Sequence, residues 1–119
     1  MDDLELLTRD LLWIYETTGR EVTYISPSGD RKPYWAYRYL QAVRRAVENG
    51  EVVELVERIV LRRSPTDGFG HLEDAGRLDL ALEAFVVDES KPYHHLFSDE
   101  AVSLSRVRLD EAKRALDVS

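Results

Sequence analysis

The residues whose types and spacing could do chemistry are concentrated between Arg31 and Arg45. Residues 31–39 read RKPYWAYRY, in which three cations are interleaved with four aromatic side chains. Single-stranded nucleic acid is bound by this combination, because phosphates attract cations and bases stack on aromatic rings. On a helix, Arg38, Gln41 and Arg45 would share one face. The candidate nucleic-acid contacts are Arg31, Lys32, Arg38, Arg44 and Arg45.

The charge of the chain changes sign along its length. Residues 1–30 carry a net charge of −5 and residues 65–119 a net charge of −6. Residues 31–64, the basic segment, hold eight cations and four acids and carry +4. Internal pairing is the simplest interpretation, because neighbouring helices often complement one another in charge, and the aromatics would then be partly core. A surface for phosphates or an acidic partner is the alternative.

No catalytic motif accompanies these residues. The sequence lacks a phosphate-binding glycine loop, a dinucleotide-binding glycine motif, a nucleophile elbow and a zinc-protease histidine pair. The three histidines, His71, His94 and His95, lack the spacing of a metal site. With 23 acids in the chain, a chance pair of carboxylates says nothing about hydrolysis. We therefore expect no enzyme activity, no metal and no cofactor.

The segment from Gly68 to Asp88 has the outline of a helix-turn-helix, with its turn at Gly76. A version that reads DNA is disfavoured, because the second helix presents acids and has no arginine after Arg77. An ordinary helical hairpin explains the pattern. If the acids at positions 73, 74, 79, 83, 88 and 89 share one face instead, the chain could mimic a nucleic acid and occupy a basic channel.

The composition is that of an ordinary globular domain. The chain has 119 residues, of which 44% are hydrophobic and 33% charged, enough for one core without disulfide or metal. Cysteine is absent, which excludes disulfide frameworks, thiolate metal sites and cysteine nucleophiles. The acidic N-terminus differs from a secretion signal, and no apolar run is long enough to span a membrane. We expect a cytoplasmic protein without membrane contact.

Helices must position most of these residues. Apolar spacing predicts helices over residues 3–16, from Pro33 to Asn49 and from Glu51 onward. Gly19 is expected to cap the first helix, and Leu40, Val43 and Val47 are expected to line the inner face of the second. Capping signals predict three further helices, which start at Ser64, Asp79 and Ser98.

A strand-like alternation over residues 21–26 is followed by the turn sequence PSGD at residues 27–30. The chain can return through residues 31–34, which predicts a small β-hairpin near residues 21–34. Together with the helices, this predicts a mainly α fold, a single compact domain of five to six helices that spans residues 1–119.

A longer pattern runs through the second half of the chain, with SPTDGF at residues 64–69, GRLDL at 76–80 and LF at 96–97. Over roughly residues 33–109 the chain resembles a small uncharacterised bacterial helical domain. The resemblance implies one helical unit and brings no activity, cofactor or site residue with it. The position of Arg77 near a helix junction separately predicts a buried ion pair with Asp74 or Asp79.

The absence of catalytic motifs favours an adaptor or regulatory domain that docks on a protein partner. Such a domain must expose apolar groups, and tryptophan and tyrosine are enriched among interface hot spots. The candidate partner-binding residues are Trp13, Tyr34, Trp35, Tyr39 and Phe97. Nucleic-acid binding through the basic segment is the first alternative, acidic mimicry the second and an enzyme the third.

Overall fold

The computed structural model describes residues 1–118, which form six α-helices and one β-hairpin. The helices are α1 (Asp3–Glu21), α2 (Tyr37–Asn49), α3 (Val52–Val60), α4 (Asp67–Asp74), α5 (Leu82–Val87) and α6 (Asp99–Val118). Short 3-10 turns at Leu78–Leu80 and His94–Leu96 flank α5. The prediction of a mainly α fold with five to six helices and a small hairpin is confirmed. Within the described residues, no helix is both long and apolar enough to cross a bilayer.

Helix α1 is longer than its apolar spacing predicted, because Gly19 continues it. Asp2 caps the first turn by accepting the Glu5 backbone N–H at 2.8 Å. Gly19 itself is buried, and a Cβ there would lie 1.9 Å from Cε3 of Trp35. The prediction of a helix cap at Gly19 is therefore wrong. This glycine is the place where the Trp35 ring crosses α1.

The predicted hairpin consists of β1 (Thr23–Ile25) and β2 (Arg31–Pro33), which pair antiparallel with Thr23 opposite Pro33. Gly29 supplies the left-handed backbone of the turn, at a φ of 88°. Pro33 ends the second strand, so its assignment to the first turn of a helix is wrong. A proline is tolerated there because this strand has an open edge that needs no N–H donor.

Helix α2 buries only part of the face that was predicted to line the core. Val43 and Ala46 are its buried residues, whereas Val47 is 47% exposed. Tyr39 completes the inner face, because its hydroxyl donates to a backbone carbonyl oxygen of α1 at 2.8 Å. The inner face therefore runs through Tyr39, Val43 and Ala46, and the predicted placement of Val47 is wrong.

The helix predicted to start at Asp79 is interrupted. Asp79 accepts from the Arg77 guanidinium and does not cap a helix. Ala81 is extended, with φ −73° and ψ 145°, and separates a 3-10 turn from α5. Leu80 and Leu82, on either side of this break, are both buried.

Two hydroxyl caps start the neighbouring helices. Ser98 caps α6 as predicted, since its hydroxyl accepts the Ala101 backbone N–H at 3.1 Å. The cap of α4 is Thr66 instead of the predicted Ser64. Thr66 has an extended backbone, and its hydroxyl accepts from the Phe69 N–H at 3.2 Å.

Buried apolar side chains form two clusters. The larger joins α1, α2, α3, α5 and the start of α6 around Tyr93, which is 0% exposed and donates its hydroxyl to Asp10 at 2.6 Å. The smaller packs α4, the first 3-10 turn and α6 against Val22, just before the hairpin. The hairpin and the N-terminus of α2 are thereby held beside α1.

Ion pairs tie the elements together at two further places. Arg77 pairs with Asp79 as predicted, at 3.1 Å, and also with Glu21 at the end of α1, at 2.9 Å. Both carboxylates are exposed at the surface. The buried pair is a different one, Arg108 with Glu83, whose charged atoms are 3.9 Å apart between α6 and α5.

Candidate nucleic-acid interface

All eight cations of the basic segment are exposed. They are Arg31, Lys32, Arg38, Arg44, Arg45, Arg58, Arg62 and Arg63. Among the described side chains of residues 1–116, none of them forms an ion pair, whereas six of the eight cations outside the segment do. Internal pairing, the simplest interpretation of the sequence, therefore does not describe the basic segment.

Helix α2 presents three cations and one aromatic ring in two rows on its outer side. Arg38 and Arg45 lie seven residues apart, as do Tyr37 and Arg44. Seven residues are nearly two helical turns, so each pair is aligned along the axis with a spacing of about 10 Å. Because the opposite face is fixed in the core through Val43 and Ala46, these four side chains project outward. One helix thus offers a row of positive charge to solvent.

Three aromatic rings meet beside this row, from α1, from the connection before α2 and from α2 itself. We call them the aromatic platform: Tyr15, Trp35 and Tyr37. The ring of Tyr15 lies 5.4 Å from that of Trp35 and 6.2 Å from that of Tyr37, centroid to centroid. Trp35 rests on the bare backbone at Gly19. Tyr37 is the outermost ring and is 62% exposed.

Arg44 shares a face of α2 with Tyr37, because the two residues lie seven positions apart. The pKa of the Tyr15 hydroxyl is raised, first by desolvation and then by Tyr37 and Glu16, while the positive charge of Arg44 opposes the rise. Glu16 is itself engaged by Arg20 at 3.4 Å. An aromatic surface and an unpaired guanidinium are therefore neighbours.

The cations of the hairpin are held close to the platform by the chain between β2 and α2. The Tyr34 backbone N–H donates to the Val22 carbonyl oxygen at 2.9 Å, which fixes the start of this connection beside α1. Arg31 Nη1 donates to Thr23 Oγ1 across the hairpin, and Lys32 is exposed. Both side chains keep donors for a ligand.

Tyr15 could not be identified as part of this site from the sequence. It stands on α1, far along the chain from Trp35, and only the packing of α2 on α1 brings the two rings together. In the sequence it is one residue of the helix predicted over residues 3–16. Tyr37 was visible in the aromatic stretch, but nothing local distinguished it from its buried neighbours.

The five aromatics predicted to bind a protein partner are distributed unevenly. Trp13 is 50% exposed, whereas Tyr34, Trp35 and Tyr39 are half-buried. Phe97 is only 7% exposed, so its expected place on the surface is wrong. Its ring packs edge-on against the fully buried Tyr93, at 6.1 Å between centroids, and belongs to the core.

Tyr34 and the histidines have structural contacts in separate places. The rings of Tyr34, Tyr24 and His71 pack against one another between the hairpin and α4, at 5.0 to 5.6 Å between centroids. His94 contacts the backbone of α5, and His95 contacts a carboxylate of α1. In the part of the chain that the structure describes, no three histidine or acidic side chains group as metal ligands would.

A groove lies beside Trp13. It has a volume of about 580 Å³ and is lined by Trp13, Phe85, Lys91, Asp10 and neighbouring polar side chains. The Lys91 ammonium stands 5.0 Å above the Phe85 ring and 3.6 Å from Asp10. The groove therefore has an aromatic wall and a rim where charges are already paired.

The acids considered for nucleic-acid mimicry are not all available at the surface. Glu83 is 3% exposed and faces Arg108, and Asp79 is bound by Arg77. A partner could not touch Glu83 without opening the contact between α5 and α6.

Comparison of the chain with protein-family models, with curated proteins and with solved structures finds no match. The resemblance of residues 33–109 to a bacterial helical domain therefore adds no evidence about the site. Function has to be inferred from the geometry of the basic segment and the aromatic platform.

Proposed function

We propose that this chain is a non-catalytic nucleic-acid-binding protein whose contact surface is the basic segment. The observation that supports this best is the contrast between its eight exposed, unpaired cations and the paired cations elsewhere in the described chain. The side chains of Arg38, Arg44 and Arg45 make no hydrogen bond or ion pair with the described side chains of residues 1–116, so the fold does not depend on them. A phosphate backbone would supply the anions that the protein lacks there.

The net charge of −7 limits the size of this interface. It argues against a protein that wraps a duplex with its whole surface. The molecule measures 41 × 29 × 24 Å, and charges farther apart than about 10 Å are largely screened at 0.1 M salt. Acids on distant elements therefore weaken a contact at α2 only slightly. We expect few phosphate contacts and an affinity that depends on salt.

A pair of charge-matched variants tests the proposal. Arg38→Gln, Arg44→Gln and Arg45→Gln together remove three cations of the basic segment. Arg9→Gln, Arg106→Gln and Lys113→Gln remove three exposed cations elsewhere and change the net charge equally; the exposed ion pairs of Arg9 and Arg106 contribute little to stability.

We expect the first triple variant to bind labelled single-stranded DNA or RNA about tenfold or more weakly than the wild type at about 50 mM salt. The control variant should keep affinity within about a factor of two. Fluorescence anisotropy measures both. Equal losses in the two variants, or no binding by the wild-type protein, would contradict the proposal.

Docking on a protein partner is the second candidate, and the exposed Trp13 beside its groove favours it. Val107 on α6 is exposed to a similar extent, 48% against 50%, and serves as the matched control. A partner that uses the groove should lose binding to Trp13→Ser and keep binding to Val107→Ser in a pull-down. Equal retention of every bound protein by both variants would refute this role for the groove.

A further inference from the structure

The aromatic platform is held by contacts that orient its rings before any ligand arrives. Trp35 cannot move toward α1, because it already lies on the backbone of Gly19. Tyr15 stands on the long helix α1, and its ring contacts both Trp35 and Tyr37. Such a support lowers the entropy that a ligand must remove when it orders a side chain.

Packing in the core does not explain why the outermost residue of the platform is aromatic. Tyr37 is the first residue of α2 and is 62% exposed, so most of its surface contributes nothing to the core. Its ring lies 6.2 Å from that of Tyr15, centroid to centroid, with the two planes tilted by 58°. A large ring that is backed by another ring and open to solvent offers a surface for a flat ligand.

The charged side chains around Tyr37 indicate which kind of planar ligand would fit. Arg44 lies next to the platform and seven residues from Tyr37, and Arg38 follows Tyr37 directly in sequence. Glu16, whose charge acts on Tyr15, is paired with Arg20. A planar group that carries an anion beside it matches this arrangement, and a nucleotide within a strand has this combination of base and phosphate.

We infer that Tyr37, backed by Tyr15 and Trp35, stacks an unpaired nucleobase while Arg38 and Arg44 contact the adjacent phosphates. The inference rests on the proposed function and names its ligand class as a single strand, DNA or RNA. Bases within a duplex are stacked on their neighbours, so their faces are not accessible to Tyr37.

The test compares strands that share phosphates and differ in bases. The probes are oligothymidylate and oligouridylate of about 12 nucleotides, the corresponding duplex, and an abasic strand of the same length. Tyr37→Ala should weaken binding of the two base-bearing strands about tenfold, the loss expected for one stacked base, and leave the abasic strand unaffected. Tyr37→Phe should restore the affinity. Trp13→Ala, at an exposed aromatic outside the platform, is the control and should change nothing.

A second readout follows Trp35 directly. In the Trp13→Phe protein, Trp35 is the remaining tryptophan, and its fluorescence should change when oligothymidylate binds but not when the abasic strand binds. Far-UV circular dichroism verifies that Tyr37→Ala is folded, as its exposure leads us to expect.

The outcomes separate this inference from the proposal beneath it. If the wild-type protein binds abasic, single-stranded and duplex probes equally well, or if Tyr37→Ala weakens all of them alike, stacking is refuted while phosphate binding stands. If it binds none of them at about 50 mM salt, the proposed function fails and the inference fails with it.

Discussion

At Gly19, the missing side chain is what allows the Trp35 ring to lie directly on helix α1. Any Cβ at this position would overlap ring atoms, the nearest at 1.9 Å. We therefore predict that Gly19→Ala lowers the free energy of unfolding by about 1–3 kcal/mol, the usual cost of overpacking. Urea unfolding, followed by circular dichroism, measures the change.

Gly70 provides the matched control for this substitution. It also lies within a helix, α4, but nothing stands within 4 Å of the position that its Cβ would take. Gly70→Ala should therefore leave stability unchanged or raise it by about 0.5–1 kcal/mol, because alanine favours helix over the unfolded chain. Equal destabilisation by both substitutions would show that the contact with Trp35 is not the cause.

Glu83 is the residue at which stability should respond most clearly to pH. Burial raises the pKa of its carboxyl above the usual 4.5, and the Arg108 charge opposes the rise only in part. The native state then holds this proton more tightly than the unfolded chain does. The stability contributed by the protonated form is fully present below pH 4.5 and is lost as the pH rises through the native pKa.

Glu83→Gln cannot titrate and should escape this loss. We predict that the stability of the variant relative to the wild type increases between about pH 4.5 and pH 7, as measured by urea unfolding at each pH. Glu54→Gln, at an exposed carboxylate of α3, should show no such trend. A difference between Glu83→Gln and the wild type that is constant with pH, or that falls as the pH rises, would contradict the assignment.

Among the elements, α6 depends on a hydroxyl cap. Ser98 Oγ accepts the Ala101 N–H, while the separate backbone N–H of Ser98 donates to Glu57. Ser98→Ala removes only the first contact and should reduce the free energy of unfolding by about 1 kcal/mol. Ser103→Ala, within the same helix and exposed, should have little effect. Loss of the same stability in both variants would mean that the cap contributes nothing.

The elements were predictable from the sequence where the signal is local. Ser98 and Gly50 marked the start of α6 and the end of α2, and the turn at residues 27–30 produced the hairpin. Errors occurred where tertiary packing decides. Gly19 continues a helix, and the Trp35 ring, which is distant in sequence, occupies the space where a side chain would be. Ala81 is extended and interrupts the predicted helix between two buried leucines.

At the scale of the whole molecule, only part of the candidate site could be predicted from the sequence. The cations of the basic segment could be read from charge alone, but their lack of partners could not, since ion pairing depends on which helices meet. The aromatic platform needed the packing of α2 against α1, which joins Tyr15 to residues more than one element away. Burial of Phe97 likewise followed from the assembled core.

The salt dependence of binding tests the central claim most directly. For single strands, the logarithm of the binding constant falls with the logarithm of salt by about 0.7 for each phosphate contact. If Arg38, Arg44 and Arg45 each contact a phosphate, their joint replacement by glutamine should make the slope for an oligothymidylate shallower by about 2. A slope that stays the same in this variant, with the wild-type protein bound at about 50 mM salt, would show that the phosphates are contacted elsewhere and would contradict the account.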